Sequence, residues 1–157
     1  MVPLSRAGYR VIGIDLRGFG QSDKPWQGND YDTWAEDIRK VIEKLDLHDV
    51  LLAGFSMGGA IVMHYAALQE DIRVTKLALM GAAGPLFSRR ADNPYGIPIQ
   101  EIEETLAAAL QDRSKLARDL GLVNFHTTAS PQFYRCLEGI RMEASPYATV
   151  RGLEELR

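Results

Sequence analysis

The chain has 157 residues, 46% of them apolar and 25% charged, which is typical of soluble globular proteins and excludes disordered and fibrous classes. Its formal net charge of -3 gives no electrostatic basis for binding nucleic acid or an anionic membrane, so neither is expected as a partner. The single cysteine, Cys136, excludes an intramolecular disulfide. Residues 1–10 contain no apolar stretch of signal-peptide length, which predicts a cytoplasmic protein.

The first predicted element is a buried parallel strand, Tyr9–Leu16, because this short run is apolar and rich in β-branched residues. A turn-rich stretch follows to residue 29. Thr33 with Glu36 then forms the pattern of a capping box at the start of an amphipathic helix. The apolar positions of that helix are Trp34, Ile38, Val41, Ile42 and Leu45.

Three further elements continue the alternation: a strand Val50–Phe55, an apolar helix from about Met57 to Leu68, and a strand Val74–Met80. The first two contain no Asp, Glu, Lys or Arg, but the glycines between them favour a strand and a buried helix over a membrane span. Strand and helix in this order predict an α/β fold, a parallel sheet with helices on both faces.

Residues 1–84 are therefore predicted to form the core, and residues 85–157, which have no further strand signal, a helical cap or lid segment. Ile102, Leu106, Ala109 and Leu110 mark one helix, which Leu116 and Leu120 extend or follow with another. Ser130 and Pro131 form a good helix start. The buried stripe of that helix is predicted at Phe133, Leu137 and Ile140, with Cys136 packed among them as a core thiol.

The segment Gly54-Phe55-Ser56-Met57-Gly58 has the layout of a nucleophile elbow, in which a strand runs into a helix through a very tight turn. Such a turn needs small residues two before and two after its apex, and Gly54 and Gly58 supply them. Ser56 at the apex is expected to stand exposed at the carboxyl ends of the strands, where parallel sheets bind ligands. The backbone N–H of Met57 would then face charge developing on a substrate oxygen.

Two stretches in this order, together with the helix and short connection between them, resemble the α/β-hydrolase family. They are G-Y-R-V-I-G-I-D-L-R-G-F-G-Q-S-D-K-P at residues 8–25 and G-F-S-M-G-G-A at residues 54–60. The resemblance covers about residues 8–84 and is strongest to small, cofactor-independent serine members with a helical cap: esterases, carbon–carbon bond hydrolases and cofactor-free haloperoxidases. It implies that Ser56 is the nucleophile and that Met57 N–H is half of the oxyanion hole. A bound ester or related acyl-type small molecule would then form an acyl-enzyme.

The same resemblance implies three parts that the sequence does not match: an H-G stretch before the elbow, a catalytic acid and a catalytic histidine. His64 lies on the helix after Ser56, roughly 12 Å along its axis, and is expected to be a helix or core histidine. His48 is expected in a surface loop roughly 20 Å away at the opposite edge of the sheet. Distance does not exclude His126 in the cap segment. The chain is therefore expected to be a partial hydrolase with little turnover by itself, its base outside these residues.

Two acidic residues near the predicted site are expected to be structural. Asp15 ends the first predicted strand and is expected to tie down the following loop, and Asp23 reads as a turn residue. No cluster of His, Cys or carboxylates has metal-ligand spacing, and no phosphate or dinucleotide loop is complete. Neither a metal nor a cofactor is implied.

Two other interpretations stay open. In the first, the chain is a non-catalytic binding or scaffolding protein derived from a hydrolase half-fold, which would account for the unmatched catalytic acid and histidine. Alternatively, two copies of the chain, or the chain and a partner chain, associate through exposed sheet edges, whose unpaired backbone groups invite pairing.

Overall fold

The computed structural model describes residues 2–68, 72–123 and 129–157, with only the backbone given for residue 123. Within these ranges the chain forms helices and two parallel strands in an alternating order followed by helices alone. The elements are α1 (Val2–Arg6), α2 (Tyr31–Lys44), β1 (Val50–Phe55), α3 (Met57–Leu68), β2 (Val74–Met80), α4 (Ile99–Gln111), α5 (Arg113–Val123), α6 (Pro131–Met142) and α7 (Pro146–Glu154).

The sheet consists of β1 and β2, which pair in parallel with Ala53 opposite Ala78 and Phe55 opposite Met80. Both strands and the helix between them have the bounds predicted from the sequence. Helix α3 connects the strands and packs on both. Its buried residues surround most of its circumference, which explains why its sequence is apolar without a polar face.

The core lies where α2 and α3 meet one face of the sheet. Trp34 is 0% exposed and forms a cluster with Ile38, Ile42, Ile61 and Tyr65. Half-buried apolar side chains from the sheet and loops pack against it, among them Leu16, Leu52 and Val74. This cluster is the main apolar contact that fixes α3, and with it the turn at its start.

The opposite face of the sheet is not covered by the described residues. Side chains alternate between the two faces of a strand. Leu52 points into the core, so Leu51, Ala53 and Phe55 point to the other side, and all three are exposed. Met80 pairs with Phe55 and lies on the same side. The parallel sheet with packed helices is confirmed.

Two N-terminal predictions are wrong. Residues 9–16 form no strand, and Tyr9 and Ile12 are 62% and 38% exposed. The run has the apolar content of a buried strand, but a strand also needs a hydrogen-bonded neighbour, and none of the described residues pairs with it. The N-cap of α2 is Asp30, three residues before the predicted Thr33, because the side chain of Asp30 accepts from Thr33 N–H at 2.8 Å.

Helix α4 buries the predicted Ile102, Leu106 and Ala109, whereas Leu110 is exposed. Helix α6 has the predicted start but not the predicted buried face. The Ser130 hydroxyl caps α6 by accepting from Phe133 N–H. Phe133 and Ile140 are nevertheless 41% and 58% exposed, and Cys136 is exposed, so the predicted stripe and core thiol are wrong. Helix α6 meets α5 instead through the neighbouring face, where Arg141 donates to the carbonyl of residue 117.

Helix α7 packs against the first half of the chain. Ser145 N–H, at its start, donates to Gly18 O at 2.7 Å. Further along α7, a Cβ on Gly152 would lie only 3.0 Å from Met57 Sδ. The division at residue 84 stays a prediction. Within the described ranges, no helix is long and apolar enough to cross a lipid bilayer.

Candidate active site

Ser56 stands alone between β1 and α3, in a turn of unusual backbone conformation. Its φ is 52°, in the left-handed region that side chains other than glycine seldom adopt. Such strain persists only where the surroundings fix it. Ser56 N–H donates to Met80 O at 3.1 Å, and Ser56 O accepts from Gly59 N–H and Ala83 N–H, each at 2.9 Å. The turn is thus tied to the end of β2, to the loop after it and to its own helix.

Two glycines make this turn sterically possible. A Cβ on Gly54 would lie 2.2 Å from Gly58 O and 2.7 Å from Gly59 N, both backbone atoms. A Cβ on Gly59 would lie 2.5 Å from Ala82 Cβ. A Cβ on Gly58 would meet no described atom within 4 Å. A Cβ at Gly54 would therefore collide with the backbone of α3, and the second close approach falls on Gly59 instead of Gly58. The sequence reasoning missed Gly59, although the doubled glycine signals a tight contact.

The side chain of Ser56 is exposed, and among the described residues its hydroxyl has no hydrogen-bond partner. The first turn of α3 begins at the next residue and contains no acidic side chain. The first N–H groups of any helix lack helical acceptors and carry the positive end of the helix dipole. An exposed hydroxyl therefore lies beside N–H groups that favour negative charge.

The side chain of Met57 fixes the turn to the core. Its backbone opens α3, and its half-buried side chain packs against the core cluster. Gly152 of α7 lies over Met57 Sδ and close to the Trp34 ring. The residue that follows Ser56 is thus held by α2 and α7 as well as by its own helix.

The two described histidines are engaged elsewhere. His64 Nε2 lies 2.6 Å from Asp32 Oδ1, and the His64 ring is 6.0 Å from that of Tyr31. It is a half-buried residue of α3, as predicted. His48 Nε2 lies 3.1 Å from Asp46 Oδ1 in an exposed loop, also as predicted. The prediction for His126 falls outside the described residues.

Asp15 fixes the loop that follows it in the chain, as predicted. Its carboxylate accepts from Gln21 N–H at 2.9 Å, and its carbonyl accepts from the Ser22 hydroxyl at 2.6 Å. Gly20 has a φ of 50°, and a Cβ there would lie 2.4 Å from the Asp15 carboxylate. Asp23 lies in the same turn, where its carbonyl accepts from the N–H of residue 18. Asp15 through its side chain and carbonyl, and Asp23 through its carbonyl, therefore hold the loop in shape.

A partly buried ion pair joins this loop to α2. Arg17 donates from Nε and Nη2 to the two carboxylate oxygens of Asp37, at 2.5 and 2.7 Å. The adjacent carboxylate raises the pKa of Arg17. The Arg17 carbonyl also accepts from Trp34 Nε1 at 3.3 Å. The loop is thus fixed to the same helix whose tryptophan supports Met57. In the described ranges, no three His, Cys, Asp or Glu side chains are grouped so that they would hold a metal ion.

Residues 1–133 match the family model described as the alpha/beta hydrolase fold. The chain belongs to this family, and the partial α/β-hydrolase fold predicted from the sequence is confirmed.

Particular relatives carry related names. The chain is 45% identical to the AB hydrolase superfamily protein YisY of Bacillus subtilis over 157 residues, which is all of this chain and 59% of that protein. It superposes on the esterase EaEST from Exiguobacterium antarcticum with a TM-score of 0.96 at 37% identity, over 99% of this chain and 58% of the esterase. A bromoperoxidase from Bacillus anthracis gives 0.92 at 33% identity, over 99% and 59%. The chain thus spans somewhat more than half the length of these relatives.

Proposed function

We propose that this chain carries the nucleophile and one oxyanion donor of a serine hydrolase, and that its substrate is an ester or a related acyl-type small molecule. The observation that carries the proposal is Ser56 itself. It is an exposed serine held at a φ of 52° on the turn between a parallel strand and a helix N-terminus. A strained, well-tied turn at such a position is characteristic of nucleophile elbows.

The proposed reaction has two steps. Ser56 Oγ attacks the substrate carbonyl carbon, and the carbonyl electron pair moves to oxygen, where Met57 N–H donates a hydrogen bond to the resulting oxyanion. The tetrahedral species collapses, the alcohol leaves with the proton taken from Ser56, and an acyl-enzyme remains. Water then attacks the acyl-enzyme, releases the carboxylic acid and restores the serine. No redox partner or bound cofactor enters this scheme.

The base of this reaction is proposed to come from outside the described residues. His64 lies eight positions along α3 from Ser56, roughly 12 Å along the helix axis, and its ring nitrogen is paired with Asp32. His48 is paired with Asp46 on the far side of β1. A base must lie within about 3 Å of the serine hydroxyl or reach it through one water. We therefore expect slow turnover from the chain by itself and a serine that still reacts with strongly activated acylating reagents.

The names of two similar proteins bear on the proposal: one is an esterase and another a bromoperoxidase. The esterase supports ester chemistry. The proposal for this chain is limited to transfer of an acyl group to Ser56, because the nucleophile and one oxyanion donor of that step are among the described residues.

The test is prolonged labelling with an excess of a fluorophosphonate probe, a strongly activated reagent that we expect to react slowly with Ser56 even without its base. We expect labelling of the native chain and its loss in Ser56→Ala. Ser5→Ala, on the exposed α1, is the matched control and is expected to label like the native chain. Circular dichroism of all three establishes that they are folded alike.

Two results would overturn the proposal. Equal labelling of Ser56→Ala would place the reactive group elsewhere. A folded native chain that the probe does not label would leave the elbow without an activated hydroxyl, and would favour the alternative role of a non-catalytic binding protein.

A further inference from the structure

Gly152 is buried within helix α7, although glycine is unfavourable inside helices. The helix continues to Glu154, and Gly152 does not have a left-handed φ, so neither a helix end nor a special backbone conformation requires glycine there. Alanine is favoured over glycine in a helix, because glycine loses more conformational freedom on folding. The reason for glycine at this position is therefore what lies opposite it.

The side chain opposite Gly152 is that of Met57. A Cβ at position 152 would lie 3.0 Å from Met57 Sδ, 3.7 Å from Met57 Cε and 3.7 Å from Trp34 Cη2. Non-bonded heavy atoms prefer separations of about 3.5–4.0 Å, so an added Cβ would push the thioether by roughly half an ångström. Met57 also packs against the core cluster that contains Trp34. Its side chain is thus confined between the core and the backbone of α7.

The position of α7 is itself fixed by the loop before α2. Ser145 N–H donates to Gly18 O at 2.7 Å. The ring of Tyr147 meets that of Trp26 edge-on, with centroids 5.0 Å apart. Helix α4 packs against α7 as well. A side chain added at Gly152 would therefore displace the flexible thioether of Met57 more readily than the helix.

We infer that Gly152 is a positioning residue, which keeps the Met57 N–H in place as an oxyanion donor by leaving room for the Met57 side chain. This N–H belongs to the peptide that joins Met57 to Ser56, so a shift of Met57 moves the donor relative to the hydroxyl. Misplacement by about 1 Å can slow a reaction about 100-fold. A shift of roughly half that size should slow acylation of Ser56 on the order of tenfold. The inference rests on the function proposed for Ser56 and Met57.

The first measurement compares the rates at which an excess of fluorophosphonate probe labels Ser56 in folded variants. Gly152→Ala is expected to label about tenfold more slowly than the native chain. Gly139→Ala is the matched control and should label at the native rate, because Gly139 is also helical and a Cβ there meets no described atom within 4 Å. The rates are measured where circular dichroism shows full folding, so a purely structural role of Gly152 would leave them unchanged. An unchanged rate in Gly152→Ala would overturn the inference.

The second measurement repeats Gly152→Ala in combination with Met57→Ala, which removes the thioether and keeps the backbone N–H. Met57→Ala is expected to slow labelling by itself, because the residue loses its contact with the core cluster. With no Sδ to displace, the Cβ added at Gly152 should then cause no further slowing. Equal slowing by Gly152→Ala with and without Met57→Ala would show that Gly152 does not act through Met57, and would also overturn the inference.

A third readout does not use the reactivity of Ser56. In a chain made with isotope-labelled methionine, the amide resonance of Met57 is identified by its loss in Met57→Ala. It is expected to move in Gly152→Ala and to keep its position in Gly139→Ala. A native chain that the probe does not label would refute the proposed function, and the Met57 resonance alone would then decide whether Gly152 positions this N–H. A resonance that does not move in Gly152→Ala would contradict the inference in either case.

Discussion

Replacing Gly54 by alanine tests whether the turn at Ser56 depends on close backbone packing. The new Cβ would lie 2.2 Å from Gly58 O and 2.7 Å from Gly59 N, whereas real Cβ atoms essentially never come within 3.0 Å of other heavy atoms. Both obstacles are backbone atoms of α3, so no side chain can rotate away. Strand β1 and helix α3 must separate by roughly an ångström, and overpacking of this kind costs about 1–3 kcal/mol or more.

Gly58→Ala is the matched comparison, four residues along the same turn. A Cβ there meets no described atom within 4 Å, and the residue is helical. Alanine is favoured over glycine in helices by up to about 1 kcal/mol. We therefore expect Gly54→Ala to lower the free energy of unfolding while Gly58→Ala leaves it unchanged or raises it. The expected difference between the two variants is about 1–4 kcal/mol.

Urea denaturation followed by circular dichroism and by tryptophan fluorescence measures this difference, since Trp34 is fully buried in the folded state. Total stabilities of about 5–15 kcal/mol make such a shift a large displacement of the midpoint. A Gly54→Ala variant within about 0.5 kcal/mol of Gly58→Ala would refute the reasoning. The turn would then tolerate a side chain where the geometry leaves no room.

Two further predictions concern the start of α2. Asp30→Ala removes the oxygen that accepts from Thr33 N–H and should lower stability by about 1 kcal/mol, whereas Asp30→Asn should retain most of it; equal urea midpoints for the two variants would contradict this cap. The Tyr31 hydroxyl is buried without a partner among the described residues, so Tyr31→Phe should leave stability at neutral pH unchanged or raise it by up to about 1 kcal/mol. Burial, with a smaller effect from Glu155, raises the pKa of Tyr31 from 10.0 to about 12. Between these values the unfolded state has lost the proton and the folded state has kept it, so native stability should fall as pH rises from 10 to 12, and Tyr31→Phe should lack this part of the fall. If the free energy of unfolding fell equally steeply with pH for the native chain and for Tyr31→Phe in that range, the hydroxyl would not titrate as described.

The elements around Ser56 could be predicted from sequence because their signals are local. The strand at 50–55, the helix at 57–68 and the strand at 74–80 each have a run of apolar residues of suitable length, with glycines at the sharp change of direction. The conformation of Ser56 follows from the same few residues. Their positions relative to one another are then fixed by parallel pairing, which any strand, helix and strand in this order favour.

The failures have a different physical origin, because burial depends on what lies opposite a residue. The run at 9–16 has the composition of a buried strand, but no described strand lies beside it. Helix α6 has the predicted period, yet the face toward α5 is rotated by about one residue, so Phe133 and Ile140 are exposed. The partner of His64 was equally invisible, since its hydrogen bond with Asp32 joins two helices that sequence spacing does not relate.

Helix α7 can support the turn at Ser56 only after α7 has been synthesised. Ser145 donates to Gly18 O, and Gly152 lies over Met57, so the support of the turn includes residues from the last helix. At roughly 5–20 residues per second, a ribosome needs on the order of ten seconds to proceed from Gly18 to Ser145. Until α7 has emerged and packed, the α7 side of Met57 and Trp34 stays uncovered on the nascent chain.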